Sequence, residues 1–346
     1  MSILSGVSSF FGLDIGTTAI RLVELTGTGQ HKAVGRYAYA PIDSRITMSD
    51  AKVDQQRLAQ TITELIRQSG VTTKNVAVGI PSQRVFTTVI DFERLPDSEL
   101  GKAIRFQADS LIPTPLAESK VDWALLGDSP ADKTKVEILL SSVSNEFIEQ
   151  RLDMLESIGL NVIAFEPDNL ALARALVPPD SNQPFMVIDI GDKTTDLVIT
   201  VNGTPRLTRA IPTGIEAIVR AASQNLNVDE KQADQFVFKF GLAKDKLEGR
   251  VEGAIVGVID MLVSDIDKSI KFFQTRYGGA QISRISVTGG ASTLPGFPLY
   301  LANKFGTEVE IGNAWRNVAV SPERQNELLA ISNHFAVAVG LAERSA

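Results

Sequence analysis

Residues 11–25, "FGLDIGTTAIRLVEL", decide how the rest of the chain is read, because residues 186–200, "MVIDIGDKTTDLVIT", repeat their design. Each copy runs apolar strand, Asp, apolar residue, Gly, a threonine-bearing turn and a second strand. Asp14 and Asp189 lie about half the 346-residue chain apart. The grammar around the two copies also matches. Strands are expected at residues 10–15, 19–25 and 33–40, then a helix whose Leu58, Ile62, Leu65 and Ile66 share one face, stopped by Gly70. The second half offers strands at 185–190, 197–201 and 206–211. Asn202-Gly203 joins the last two with the strongest short hairpin signal, and a helix follows Gly214. Three strands and a helix in each half indicate an internal duplication, and hence two related α/β domains facing each other.

Each half carries an insertion. Between "NVAVGI" (residues 75–80) and about Phe165 lie a strand, a helix, a hairpin and a closing helix, a βαββα unit. In the second half the insertion is helical, and Ile255, Val258, Ile259, Leu262, Ile266, Ile270 and Phe273 form one apolar stripe. "RISVTGGASTLPGFPLYLANKFG" (284–306) reads as a strand, a Gly289-Gly290 turn and a helix with Pro295 in its first turn. The expected division is 10–80, 161–180 and 328–346 for the first core domain, and 81–160 for the inserted subdomain. Residues 184–215 and 280–327 form the second core domain, and 216–279 the helical subdomain.

Composition narrows the class. Hydrophobic residues make up 44% and charged residues 22%, ordinary for a folded chain with a real core. A net charge of −7 with scattered basic residues gives no electrostatic footprint for nucleic acid. There is no cysteine, so disulfides and thiolate chemistry are absent, and neither of the two histidines has a ligand-type cluster nearby. No apolar run approaches the roughly 18 residues of a membrane span. The N-terminal "MSILSGVSSFF" lacks the basic stretch of a signal peptide. A soluble, cytoplasmic protein is expected.

The repeated turn carries the chemistry. A glycine at a strand end lets backbone N–H groups converge on an anion, and neighbouring threonines add hydroxyl donors. The preceding Asp would repel a bare phosphate, so its sense is a bridging magnesium, usually reached through water. One set in each domain suits a nucleotide clamped by its phosphates from both sides, with Gly289-Gly290 as a flat backbone platform.

These hairpins resemble the phosphate-1 and phosphate-2 motifs of the actin, Hsp70 and sugar-kinase superfamily, and "VTGGAS" (287–292) resembles its adenosine motif. The implied fold is the actin-like ATPase fold, duplicated RNase H-like domains with an FtsA/PilM-type inserted subdomain. The βαββα insertion resembles that of FtsA-like proteins. Within it, residues 95–123 resemble the segment typical of the PilM family, the cytoplasmic actin-like proteins of type IV pilus assembly. The closing helix is not followed by the linker and amphipathic membrane helix of FtsA.

The resemblance implies ATP and magnesium as cofactors. Asp14 and Asp189 would hold the metal, and Gly16, Thr17, Thr18, Arg21, Gly191, Lys193, Thr194 and Thr195 the phosphates. Gly214, Glu216 and Asp234 would line the nucleotide from the second domain, and Gly289, Gly290, Ala291 and Ser292 would pack on adenosine. Asp192, Lys193, Asp234 and Val237 depart from the family pattern. Glu166-Pro167 resembles the Glu-Pro in which the acid orients attacking water. Turnover is expected to be slow. The implied partner is the cytoplasmic N-terminal tail of a PilN-like single-span membrane protein, received in a groove with Val85, Phe86 and Phe106, which would recruit the protein to the inner membrane. Other type IV pilus inner-membrane or motor proteins, and a homo-oligomer or filament, are further expected contacts. A polymerising FtsA-like scaffold is the alternative; a small-molecule kinase lacks a substrate-side base other than Glu166.

Overall fold

The computed structural model describes residues 9–27 and 32–344; the first eight residues of "MSILSGVSSFF" fall outside them. The first hairpin is β1 (Phe11–Ile15) and β2 (Ala19–Thr26), extended by β3 (Ala33–Pro41). After a single turn, α1 (Ser44–Thr47), comes α2 (Lys52–Ser69), whose Leu58, Ala59, Ile62 and Leu65 are buried. Gly70, with φ of +72°, ends α2 in the left-handed conformation that glycine supplies without strain. The chain then enters β4 (Asn75–Ile80), parallel to β1.

The insertion follows as β5 (Val85–Glu93), α3 (Asp97–Leu111), β6 (Ser119–Asp128), β7 (Lys135–Ser144) and α4 (Asn145–Ser157). Its three strands form a separate antiparallel sheet, ordered β5-β7-β6. Leu100 and Ile104 of α3 pack with Phe92, Val136, Ile138 and Leu140 in one small core. The closing helix α4 turns elsewhere: Met154 and Leu155 join the core of the first lobe beside Leu58 and Ile62. Strand β8 (Asn161–Pro167) then completes the first sheet, and α5 (Asp168–Leu176) leads to the second lobe.

That lobe repeats the first. Strands β9 (Phe185–Ile190), β10 (Thr195–Val201) and β11 (Thr204–Ile211) form the hairpins, with Asn202 and Gly203 at φ +52° and +69° as a two-residue turn of this hand requires. Helices α6 (Ile215–Leu226), α7 (Glu230–Phe240) and the 27-residue α8 (Arg250–Arg276) follow, with the apolar stripe of α8 buried along the core. Strand β12 (Arg284–Gly289), α9 (Phe297–Phe305) and β13 (Glu308–Ile311) finish the second sheet. Pro295 precedes α9 rather than lying in its first turn, where Pro298 stands. The sheets, β3-β2-β1-β4-β8 and β11-β10-β9-β12-β13, have the same topology.

Helix α10 (Gln325–Ala342) packs with α5 between the sheets, in a core that takes residues from both lobes. The approach is close. A Cβ on Gly340 would stand 1.9 Å from the carbonyl oxygen of Ala171, and one on Gly12 2.3 Å from that of Ala338. Glycine is therefore what lets α10 lie against α5 and β1. Lys32 donates through Nζ to the carbonyls of Ala342, Glu343 and Arg344, satisfying the open end of α10. Among the described residues no helix is long and apolar enough to cross a membrane.

Candidate functional site: an acidic cleft between the lobes

The two Asp-Ile-Gly turns end their strands on opposite walls of one cleft of about 410 Å³. Ladder register explains why each Asp points there with a defined companion. Asp14 pairs across its hairpin with Arg21, and Asp189 pairs with Asp196. The Arg21 guanidinium donates to Asp14 at 3.2 Å, so the first turn carries an ion-paired acid and the second a pair of acids.

The cleft brings together Asp14, Gly16, Thr17, Thr18 and Arg21 from the first lobe with Asp189, Gly191, Lys193, Thr194, Asp234, Gly289 and Gly290 from the second. Thr194 accepts a 2.9 Å hydrogen bond from Gln83 of the first lobe, a direct contact across the cleft. Glycine is required at one of these positions and at one just behind them. Gly289 has φ of +81°, and its Cβ would lie 2.3 Å from an Asp189 carboxylate oxygen. Gly214 lies behind the second turn, and a Cβ there would sit 2.4 Å from the carbonyl of Asp192. Through that close approach the amides of Ile215 and Glu216, opening α6, reach the carbonyls of Gly191 and Asp192.

Other expected residues stand one layer away. Thr195 is fully buried and donates to the carbonyl of Thr213, and Ser292 likewise donates to Gly289, with Ala291 buried beside it. They brace the turns and do not line the cleft. Glu216 is bound to Arg220 and accepts from Lys193 at 2.6 Å, so Lys193 is engaged within its own lobe. Val237 is buried in the core, whereas Asp234 and Phe238, one turn apart on α7, face the cleft.

Glu166 does not reach the cleft. It is buried, ion-paired with Arg174 and with Arg344 at 3.1 Å. The acid on the cleft wall is Asp168, two residues later, where β8 ends and α5 begins. A side chain on Gly79 would collide with it, since a Cβ there would lie 2.3 Å from Asp168 Oδ1. That oxygen is buried and has no hydrogen-bond partner, as is Asp196 Oδ1.

Acids thus crowd the cleft, among them Asp14, Asp168, Asp189 and Asp196. Burial, then the charge of Asp14, pushes Asp189 up to about 7. Burial and the charge of Asp189 push Asp196 to about 8. Burial, followed by the charges of Asp14, Asp196, Asp189 and Glu166, raises Asp168 well above the ordinary carboxylate range. Asp14 is also raised by burial, with Arg21 opposing. Among the described residues no three ligand-type side chains converge closely enough to hold a metal directly. A divalent cation reached through water fits this donor set, because it would satisfy unpartnered oxygens without requiring direct contact.

The expected partner residues lie on different faces of the inserted subdomain. Val85 and Phe86 are consecutive in β5 and so face opposite sides of its sheet. Phe86 packs against the subdomain's own core. Phe106, on the outer face of α3, is 89% exposed.

Two like-folded lobes, each presenting an acidic glycine turn to a shared cleft, define an actin-like ATPase fold. Within that class, the protein-family model for the type IV pilus assembly protein PilM matches residues 12–346, and the chain belongs to that family. The solved PilM-PilN type IV pilus biogenesis complex contains a chain 27% identical to this one. The match covers 96% of this chain and 97% of that chain, with a TM-score of 0.81. The MreB 5 structure from Spiroplasma citri bound to AMPPNP is similar in fold, at 13% identity and TM-score 0.56 over 96% of this chain and 95% of that one. The cell division protein FtsA of Neisseria meningitidis serogroup B (strain ATCC BAA-335 / MC58) is 24% identical over 269 residues, 68% of this chain. The match spans 62% of that curated relative's length.

Proposed function

We propose that this chain is a nucleotide-dependent adaptor of type IV pilus assembly. Its interlobe cleft would bind ATP with magnesium, and its inserted subdomain would receive the cytoplasmic N-terminal tail of a PilN-like membrane protein. The observation that carries the nucleotide reading is the convergence of Asp14 and Asp189, from the two repeats, on one cavity with unpartnered buried carboxylate oxygens. Asp14 and Asp189 would hold magnesium through water, with Asp168 and Asp196 orienting that water. The ion's chemistry there would be to neutralise the β- and γ-phosphate oxygens. The glycine turns and Thr17, Thr18 and Thr194 would bind phosphates, and Phe238 with Gly290 would flank the base. Binding would close the lobes, and turnover would be slow, as suits a protein whose nucleotide is structural.

For the partner, the support is family membership and the likeness to the PilM-PilN complex. Recruitment by that tail would hold the chain at the inner membrane. Phe106 is the anchor we assign to the tail, since an aromatic ring this exposed on an otherwise amphipathic helix has no role in its own core. The test is a titration of the labelled tail of the cognate PilN-like protein into wild type and Phe106→Glu. A loss of about tenfold or more in affinity is expected, the scale of an aromatic interface anchor. Equal affinity with an intact fold would remove Phe106 from the interface, and no binding to wild type would remove tail docking.

A further inference from the structure

Besides the acidic turns, the cleft is walled by the loop after β4, by Thr47 at the end of α1 with Met48 and Asp50 beyond it, and by Phe147 and Arg151 of α4. Three side chains there take no part in the reading above: Arg84, Phe147 and Arg151. The two guanidinium carbons lie 5.4 Å and 5.5 Å from the Phe147 ring centroid. Arg151 is only 8% exposed, and its Nη1 is buried without a hydrogen-bond partner. Among the described residues no carboxylate stands within ion-pair distance of it; Asp50 acts on it only through its field.

A buried guanidinium with no counter-charge is costly, and arginine does not escape the cost by losing its proton at neutral pH. The ring beneath it offsets part of that cost but supplies no acceptor. What is missing is an anion with oxygen acceptors, entering from the same cavity that the phosphate turns line. We propose that Arg151, backed by Arg84 across Phe147, forms an oxyanion pocket on this wall of the cleft for a phosphate group. That group is either the terminal phosphate of a bound nucleoside triphosphate or free orthophosphate held beside a diphosphate. A planar guanidinium matches phosphate with paired N–H donors. The inference rests on the nucleotide reading of the cleft, and the two are separable by experiment.

Calorimetric titrations of wild type, Arg151→Gln and Arg84→Gln test it with ADP·Mg, ATP·Mg, and orthophosphate added to ADP·Mg-saturated protein. Arg151→Gln is expected to keep ADP affinity while losing about tenfold or more for ATP or for orthophosphate, the scale of a charge-assisted hydrogen bond. A loss for ATP assigns the pocket to the terminal phosphate, and a loss for orthophosphate alone assigns it to the free ion. Arg84 is exposed, so its variant tests the pocket even if Arg151→Gln fails to fold. Wild-type affinities for all three ligands in the folded variants would overturn the pocket and leave the cleft reading standing. If wild type binds no nucleotide, that reading fails, and orthophosphate titrated alone decides the pocket. Binding that is lost in the variants upholds it, and no binding removes it.

Discussion

Asp189 and Asp196 pair across one hairpin, and both line the cleft. Their folded-state values of about 7 and about 8 stand above the ordinary 3.8. The folded protein therefore keeps protons that the unfolded chain releases. This contribution to stability is complete below about pH 4 and is lost as pH rises through 7 to 8. Without divalent cation the melting temperature should fall from pH 6 to pH 9, and ATP·Mg should flatten that fall by favouring the ionised acids. A cation-free melting temperature that rises over this range would contradict the account. We assign the water-orienting role to Asp168, which lines the cleft, and a structural one to Glu166, held in its ion pairs. Wild-type ATP hydrolysis is expected below about 1 per second, under the usual enzyme range. Asp168→Asn should lower it by about tenfold or more, as loss of a water-orienting acid does. Glu166→Gln should instead leave the rate and cost roughly 3 kcal/mol of stability by unpairing Arg174 and Arg344. A rate loss in Glu166→Gln at unchanged stability would return the role to Glu166.

At the scale of elements, the inserted sheet is fastened to the second lobe at one buried point. Glu137 on β7, 1% exposed, accepts from Arg206 of β11 at 3.1 Å, from Arg276 at the end of α8 at 2.9 Å, and from the Tyr277 hydroxyl at 2.8 Å. Meanwhile α4 packs into the first lobe. The insertion is thus held by both lobes, and a change in their separation acts on it directly. Glu137→Gln leaves two arginines facing a neutral amide that is itself buried. The expected cost is about 3 kcal/mol, the scale for a broken buried pair, read by urea denaturation; a loss within about 0.5 kcal/mol, the range of ordinary surface substitutions, would show that the joint is not structural. The elements themselves were legible where periodicity was strict. The α8 stripe and the Asn202-Gly203 turn appear in the structure as read. The destination of α4 was not legible, because its apolar face suits either core and only tertiary packing chooses.

At the scale of the whole molecule, the duplication is the strongest statement in the sequence, since two matched hairpins half a chain apart imply two matched sheets. The site followed from it in outline. What escaped notice depended on contacts between distant segments. Asp168 and Glu166 sit in one short acidic stretch, and which faces the cleft depends on where β8 ends and on the space left by Gly79. Arg84, Phe147 and Arg151 come from two segments with no shared motif. Val85 and Phe86 point to opposite faces of β5, an alternation already legible in the sequence. The central claim is that both repeats close on one magnesium nucleotide. Thermal unfolding with and without ATP·Mg, in wild type and Asp189→Ala, tests it most directly. The account predicts a rise of several degrees for wild type at saturating ligand, as mass action requires, and a much smaller rise for Asp189→Ala. No rise in wild type, or an equal rise in both, would contradict it.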